Sequence, residues 1–297
     1  ENDPKDAYVS LRWTEYEKSS AGTFISYYTL YDEKRRPIGY RNLDMLRYSV
    51  RYAMLRRLKS EVLDLPPKIF TPMYVEMEKD QESLYKEITS KEKRELIDKV
   101  KLSKYPMANF IRLRQATSNP KILTNKKVSC AKLDRMEEIV AERIKNNDKV
   151  VVVSNWTQVT DEIKERLKKY NYVEYTGKVS EEQRELNKVK FQTDPDCKIF
   201  IGTIETMGAS LTLTAAQTMI IVDNVWNSAD LEQLTDRLHR IGTTGTVEII
   251  TLITKNTFDE VVENIIQMKG AITKYIVDGV LPENNLRNYL IEYINSL

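Results

Sequence analysis

The sequence has almost none of the side chains on which metal sites, disulfide frameworks and histidine-based catalysis depend. It contains one histidine, His239, and two cysteines, Cys130 and Cys197, in 297 residues. Two cysteines cannot build a disulfide framework, and these lack the Cys/His spacing of a zinc site. No metal site is expected, and a reducing, intracellular compartment is the simplest reading: cytoplasmic in a bacterium or virus, nuclear in a eukaryote. No apolar run approaches the roughly 20 residues that cross a bilayer, and the opening ENDPKD is not a signal peptide. No membrane partner is expected. Neither sign of charge is in excess, since 46 Lys and Arg face 44 Asp and Glu. A net charge of +2 does not announce a nucleic-acid partner, so any such contact depends on local placement. Also missing is G-x-x-x-x-G-K-[ST], the loop that cradles phosphates in nucleotide hydrolases. The acidic pairs Asp32-Glu33, Asp161-Glu162 and Asp259-Glu260 do not end an apolar strand after such a loop, so none reads as a magnesium carboxylate.

What is present is enough for about two domains, with 41% hydrophobic residues to fill their cores. From Ser129 onward helix and strand patterns alternate. Strands are predicted at Lys149 to Ser154, Val173 to Thr176, Lys198 to Gly202, Met219 to Val222 and Val247 to Ile253, with helices at Leu133 to Ile144, Val159 to Lys169 and Ser180 to Phe191. Unbroken apolar strands such as VVVV and MIIV suit a parallel sheet buried on both faces, and the alternation argues an α/β, doubly wound sheet. Ligands of such sheets gather at the carboxyl ends of the strands. That is where Ser154, Asn155, Trp156, Gly177, Lys178, Thr203, Asp223 and Trp226 fall. Short polar residues and freed backbone N–H groups there can bind phosphate oxygens, which suits Ser154, Asn155, Lys178 and Thr203. The first, second and fourth also suit plain capping of the following turn.

The stretch WNSADLEQLTDRLHRIGTTG, Trp226 to Gly245, reads as a short, well-punctuated helix. At about 100° per residue, Gln233, Arg237 and Arg240 fall within roughly 60° of one another. Leu231, Leu234 and Leu238 make a separate apolar stripe. Asn227 or Ser228 can cap the start, and Gly242 can end it.

Taken in order, SNW, TGKVSEEQR, GTIETMGASLTLTAA, VDNVWN and QLTDRLHRIG resemble motifs IV to VI of the Swi/Snf-type ATPases of helicase superfamily two, over about 100 residues. The resemblance implies a RecA-like second motor lobe. It assigns Arg237 and Arg240 as catalytic arginines, Gln233 and Gly208 to the nucleotide, and Ser154, Asn155, Lys178, Thr203 and Trp226 to double-stranded DNA. Trp156 and His239 are assigned to packing or hydrogen bonding. ATP and Mg²⁺ are implied for the full-length protein and none for this portion alone. Two departures stand out. The family's "GG-x-GLNLT" reads Met207 to Thr214 here, with two of three glycines gone, and the glutamine of "R-I-G-Q" is Thr243.

Ahead of the lobe, RYAMLRRLKSEVLDLPPK resembles the family's "LRR-x-K" element. KIFTPMYVEME, Lys68 to Glu78, resembles its linking strand, and FIRLRQATSNPKIL its "LRQ-x-C-N-H-P" helix. The fold class is therefore a RecA-like doubly wound lobe preceded by a mainly helical region. It divides into the tail of a first lobe with a helical protrusion (1–68), a linking strand with a second protrusion (69–128), and the lobe with a terminal brace helix (129–297). That brace is read from Val261, Ile265, Met268, Ile272 and Ile276. Since ENDPKD resembles the family's segment just after motif III, the chain is expected to be the C-terminal portion of a longer ATPase, a monomer whose partner is the missing first lobe. The alternatives are a strand-separating helicase or restriction-enzyme motor, and a non-hydrolysing nucleic-acid-binding scaffold. A Walker loop and a "DE-x-H" box upstream would decide for the motor.

Overall fold

The structure, a computed structural model, describes residues 4–35, 37–55, 59–102, 110–208, 211–226 and 228–267. They form two compact units, one running to Val62 and taking in 226–229 and 264–267, the other comprising Leu63–Val225 and Asp230–Glu263.

The N-terminal unit begins with α1 (Ala7–Trp13) and α2 (Ala21–Tyr28), continues through an antiparallel hairpin of β1 (Thr29–Tyr31) and β2 (Pro37–Tyr40), and ends in α3 (Leu43–Ala53) and α4 (Lys59–Val62). Ser20 caps α2 by accepting from the Thr23 backbone N–H. Leu11, Phe24, Tyr28, Leu46 and Val50 form its core. The chain between Leu43 and Val62 is not one continuous helix, because α3 stops at Ala53 and Met54 is extended. Met54 and Leu55 are exposed, and a helix with no apolar face left to bury loses the packing that sustains it. Arg56 and Arg57 of the "LRR-x-K" element lie outside the described residues.

The second unit opens with β3 (Lys68–Val75), α5 (Lys79–Leu102), α6 (Ile111–Ser118) and α7 (Ala131–Lys145). It goes on through β4 (Val150–Ser154), α8 (Thr157–Leu167), β5 (Tyr172–Tyr175), α9 (Glu181–Thr193), β6 (Ile199–Thr203), β7 (Thr218–Ile221), α10 (Ser228–Thr235) and β8 (Val247–Thr254). The six strands lie in the order β3-β8-β7-β4-β6-β5, every pair parallel. Successive strand residues face opposite sides, and each side has its own core. Val151, Val153, Phe200, Met219, Ile221 and Ile249 pack with Phe191 of α9 and with Leu234 and Leu238. Val150, Val152, Ile199, Ile201, Ile220 and Leu252 pack with Leu133 and Met136 of α7 and Ile163 of α8. At about 1.5–3 kcal/mol per fully buried aliphatic or aromatic side chain, these two layers are what holds the sheet together.

The strand expected to link two regions is part of this sheet. β3 is its edge strand, in register with β8 from Lys68 opposite Val247 to Val75 opposite Thr254. After β8, helix resumes over 258–267. Phe258 stacks on Phe110 at 4.0 Å, and Val261 and Ile265 are buried. Met268, Ile272 and Ile276 lie outside the described residues.

Both cysteines are buried and free. Burial pushes the Cys130 thiol up to about 11 and raises that of Cys197 as well. Since the thiolate is the reactive form, neither cysteine is expected to react with iodoacetamide at pH 8 in the folded chain, and both should react once it is unfolded in denaturant. Native labelling at the rate of a free thiol would contradict this core.

Candidate functional site

Because all six strands run the same way, the loops after β4, β5, β6 and β7 open at one edge of the sheet. Ser154, the last residue of β4, is in register with Thr203, the last of β6.

The arginine-bearing stretch meets the loop after β6 at this edge, but not as one helical face. α10 ends at Thr235, and the chain continues in turns closed by Arg237 N–H to Leu234 O (3.1 Å) and Leu238 N–H to Thr235 O (3.1 Å). The carbonyls a longer helix would need are taken by other donors. Arg237 O accepts from the Leu213 N–H at 2.9 Å, and Leu238 O from the Thr243 hydroxyl at 2.5 Å. Thr243 also accepts from the Arg240 N–H at 3.2 Å. The buried threonine that replaces the family's glutamine is therefore the clip that ends this segment, preceded by Gly242 at φ +101° in the left-handed region glycine favours.

The three polar side chains still converge. Gln233 Nε2 and an Arg237 terminal nitrogen both donate to the Gly208 carbonyl, at 2.9 and 2.6 Å. Arg240 donates to Leu211 O at 3.2 Å and to Thr212 Oγ1 at 2.9 Å. Gln233 and Arg240 are exposed, whereas Arg237 is buried. Burial and the neighbouring Arg240 guanidinium both lower the proton affinity of Arg237, against the pull of Asp236. Its Nε is buried with no partner among the described residues. Two like charges set side by side on one carbonyl-lined loop are a site whose repulsion an anion would relieve.

The missing glycines of this loop have a local explanation. Met207, where the family usually has the first glycine, is fully buried and lies over Gly202. A Cβ at Gly202 would come within 2.7 Å of the Met207 sulfur and 3.3 Å of Tyr175 O. The loop thus gives up a backbone glycine to plug the core, and the close approach is met by a glycine in β6 instead. At Gly208 a Cβ would meet nothing within 4 Å, so that side of the loop is open to a ligand. Ala209 and Ser210 lie outside the described residues.

The residues assigned to DNA differ in their availability. Ser154 is fully buried; its hydroxyl donates to Asp223 at 2.8 Å and accepts from the Trp156 N–H at 3.1 Å. The geometry therefore gives Ser154 the capping role and leaves its hydroxyl no exposed surface for a phosphate. Asn155 is half-buried, with its backbone N–H on Asp223 and its side-chain amide on the Asp223 and Asn224 carbonyls, both at 2.8 Å. Thr203 is buried, its hydroxyl 2.7 Å from that of Thr206. Lys178 is exposed and paired with Asp161 at 2.6 Å, a surface ion pair of about 0–1 kcal/mol that a phosphate can displace. Trp226 is half-buried, and Asn227 lies outside the described residues. Trp156 packs on the core, with the Arg114 guanidinium 5.1 Å from its ring centre. His239 Nε2 donates to Pro66 O at 2.8 Å.

Sequence reasoning gave the "LRQ" helix no chemistry, yet it supplies the centre of a buried charge network. Arg114, 2% exposed, donates to the Asn224 carbonyl. It faces Asp223 and Asp259, whose charges sustain its own against burial. Lys132, 1% exposed, pairs with Asp259 at 2.7 Å. Asp259 also accepts from the Thr117 hydroxyl and the Thr254 N–H. Burial pushes the Asp223 carboxyl above the usual carboxylate range, opposed by Arg114, the Asn155 N–H, Lys132 and Ser154. Two cations and two carboxylates thus neutralise each other beneath Asn155 and Asn224, fixing the loops after β4 and β7. A signal was present in FIRLRQATS: Phe110 four residues before Arg114 and Thr117 three after it share its side of the helix and are buried with it, so this arginine lies on the inward face.

Comparison with known proteins gives this arrangement its family. The Helicase conserved C-terminal domain matches residues 131–242 and the SNF2-related domain residues 21–122. An uncharacterized ATP-dependent helicase of Mycoplasma pneumoniae is 32% identical over 232 residues, covering 76% of this chain and 22% of that protein. The chain thus spans about a fifth of the length of that relative. The fold matches the C-terminal part of the Fun30 ATPase domain (TM-score 0.61, 21% identity, 79% of this chain and 100% of that one). It also matches the Sulfolobus solfataricus SWI2/SNF2 ATPase core in complex with dsDNA (TM-score 0.54, 21% identity, 89% and 61%). Among the described residues no helix is long and apolar enough to cross a membrane, and no cluster of His, Cys, Asp and Glu could hold a metal ion. The alternating parallel sheet, the motifs at its edge and both family matches agree: the chain belongs to the Snf2-type ATPases of helicase superfamily two and carries their RecA-like lobe.

Proposed function

We propose that the chain is the second motor lobe of an ATP-dependent translocase or remodeller on double-stranded DNA, working inside the cell as part of a longer monomeric polypeptide that supplies the first lobe. The observation that carries this reading is the convergence of Gln233, Arg237 and Arg240 on one loop at the carboxyl edge of the sheet. ATP, bound with Mg²⁺ by the first lobe, would bring its γ-phosphate against this face. Phosphoryl transfer depends mainly on position and on neutralising charge that spreads over the transferred oxygens. Arg237 and Arg240 supply fixed guanidinium groups for that, and Gln233 holds the Gly208 carbonyl to which Arg237 also donates. Mg²⁺ is assigned, with the phosphate-cradling loop, to the other lobe.

This chain alone is accordingly expected to show no DNA-stimulated phosphate release above a buffer control. Turnover that disappears in an Arg237→Ala, Arg240→Ala double mutant would contradict the division of labour between lobes.

On the DNA side, exposed Lys178 is the strongest candidate for a phosphate contact, with Asn155 and Thr203 shaping the loops beside it and Trp226 supplying a stacking contact. Binding should be weak, indifferent to sequence and steeply dependent on salt, because phosphate contacts release counterions. Lys178→Ala is expected to reduce the slope of log affinity against log salt by about one unit, as read by fluorescence anisotropy on a duplex. A flat slope, or a strong preference for one base sequence, would sink the phosphate-tracking reading.

A further inference from the structure

Residues 66–68 are fastened to the arginine segment and the strand after it by successive contacts. His239 Nε2 donates to Pro66 O at 2.8 Å, and the Val247 N–H donates to Pro67 O at 2.9 Å. Lys68 Nζ reaches Asp236 Oδ1 at 3.0 Å and Thr235 Oγ1 at 3.3 Å. Two of these anchors bracket Arg237 in sequence: Asp236 immediately before it and His239 two residues after, next to Arg240. The ion pair is unlike a solvated surface pair, since the Lys68 and Asp236 side chains are 17% and 23% exposed. The ammonium also lies 5.5 Å from the centre of the Phe70 ring. Pro66 and Pro67 each fix φ near −65°, so this stretch is a stiff strap rather than slack chain. Downstream it becomes β3, with Lys68 in register with Val247. Upstream it is the stretch of chain that begins the second unit after Val62.

The arginine segment needs outside support. Beyond Thr235 it has only turns, and Arg237 holds Gly208 through one terminal nitrogen while its Nε has no partner among the described residues. The lateral position of its guanidinium therefore follows the backbone of residues 236–239. That backbone is tethered sideways by Lys68 and His239. A misplacement of about 1 Å at a reacting centre costs on the order of a hundredfold in rate.

We propose that Lys68 and His239 are positioning residues for Arg237 and Arg240, and that the Pro66–Lys68 strap makes the placement of both arginines depend on the path of the chain that enters the lobe. The inference rests on the arginine reading above and adds the element that regulates it. Moving the strap moves the turn, and the guanidinium groups leave the geometry in which they stabilise the transferred phosphate. Holding the strap holds the arginines in place.

The test is steady-state ATP turnover on duplex DNA in the ATPase containing both lobes, with Arg240→Ala as the control for the arginine reading itself. Lys68→Met, Asp236→Asn and His239→Phe are each expected to lower kcat about tenfold to a hundredfold, with KM for ATP, DNA affinity and melting temperature nearly unchanged. Lys68→Met combined with Asp236→Asn should be no worse than either alone. Lys68→Arg, which keeps the charge, should retain kcat, and Asp236→Lys should restore part of what Lys68→Glu loses. If Arg240→Ala collapses turnover while the strap variants stay within about twofold of the parent, the strap proposal is overturned and the arginine reading stands. A fall in melting temperature and a rise in KM that track the fall in kcat would make the contacts merely structural and overturn it too. Near-normal turnover in Arg240→Ala removes both.

Discussion

Arg240→Ala in the two-lobe ATPase is expected to lower DNA-stimulated turnover by about 10³- to 10⁵-fold, or roughly 4 to 7 kcal/mol of barrier. Melting temperature and DNA affinity should hardly change. The guanidinium is exposed and held by the Leu211 carbonyl and the Thr212 hydroxyl, two contacts that water can replace at little cost. Stability should therefore be insensitive to its loss, whereas a site that develops phosphoryl charge should not be. Arg240→Lys should rescue poorly, because an ammonium lacks the planar fork of donors that matches phosphate oxygens. Arg237→Ala is expected to behave differently. Arg237 is buried and shares the Gly208 carbonyl with Gln233, so its removal should also loosen the loop after β6 and lower the melting temperature. Phosphate-release kinetics set beside thermal melts separate the two arginines. Near-normal turnover in Arg240→Ala, or a loss explained by unfolding, would contradict the assignment.

Arg114→Met is expected to destabilise the lobe by about 3–5 kcal/mol, the usual cost of removing one partner from a buried charge network. The guanidinium faces Asp223 and Asp259, and Asp223 is fully buried. Without Arg114, one carboxylate in the network has lost its opposing charge and must either stay charged in a dry site or take up a proton. The loop after β4 depends on that same carboxylate through Ser154 and the Asn155 N–H, so local order there should fall with it. Urea unfolding followed by circular dichroism measures the loss. A change below about 1 kcal/mol would show that the network is already slack or solvated.

The sheet was legible because its signal is carried by composition within each strand. VVVV and MIIV must be buried on both faces, and both are. The ends of the five lobe strands were off by at most one residue; the extended segment read over Lys68–Glu78 contains the strand Lys68–Val75, but its place at the edge of the same sheet depends on a partner far along the chain, β8, and cannot be read locally. The arginine stretch shows the same limit. Helical periodicity grouped Gln233, Arg237 and Arg240, and the structure does gather them, yet by turns after Thr235. The Leu213 N–H and the Thr243 hydroxyl capture the carbonyls of Arg237 and Leu238, and nothing in a helical repeat announces such captors. Arg114 escaped because an arginine on a helix reads as surface charge unless its neighbours on every side are weighed. Ser154 was read as suiting a phosphate contact and a cap alike, and what its sequence position could not tell is that its hydroxyl is buried and accepts from the Trp156 N–H.

The central claim is that Arg237 and Arg240 act on the transition state of phosphoryl transfer and not on bound ATP. Only interactions stronger in the transition state accelerate the chemical step. The direct measurement is the affinity of the two-lobe ATPase, with and without Arg240→Ala, for a non-hydrolysable ATP analogue and for ADP with aluminium fluoride, which mimics the transferred phosphoryl group. The expected result is unchanged affinity for the ATP analogue and a large loss, on the scale of the fall in kcat, for the aluminium fluoride complex. Equal losses for both ligands, or no loss for either, would contradict it.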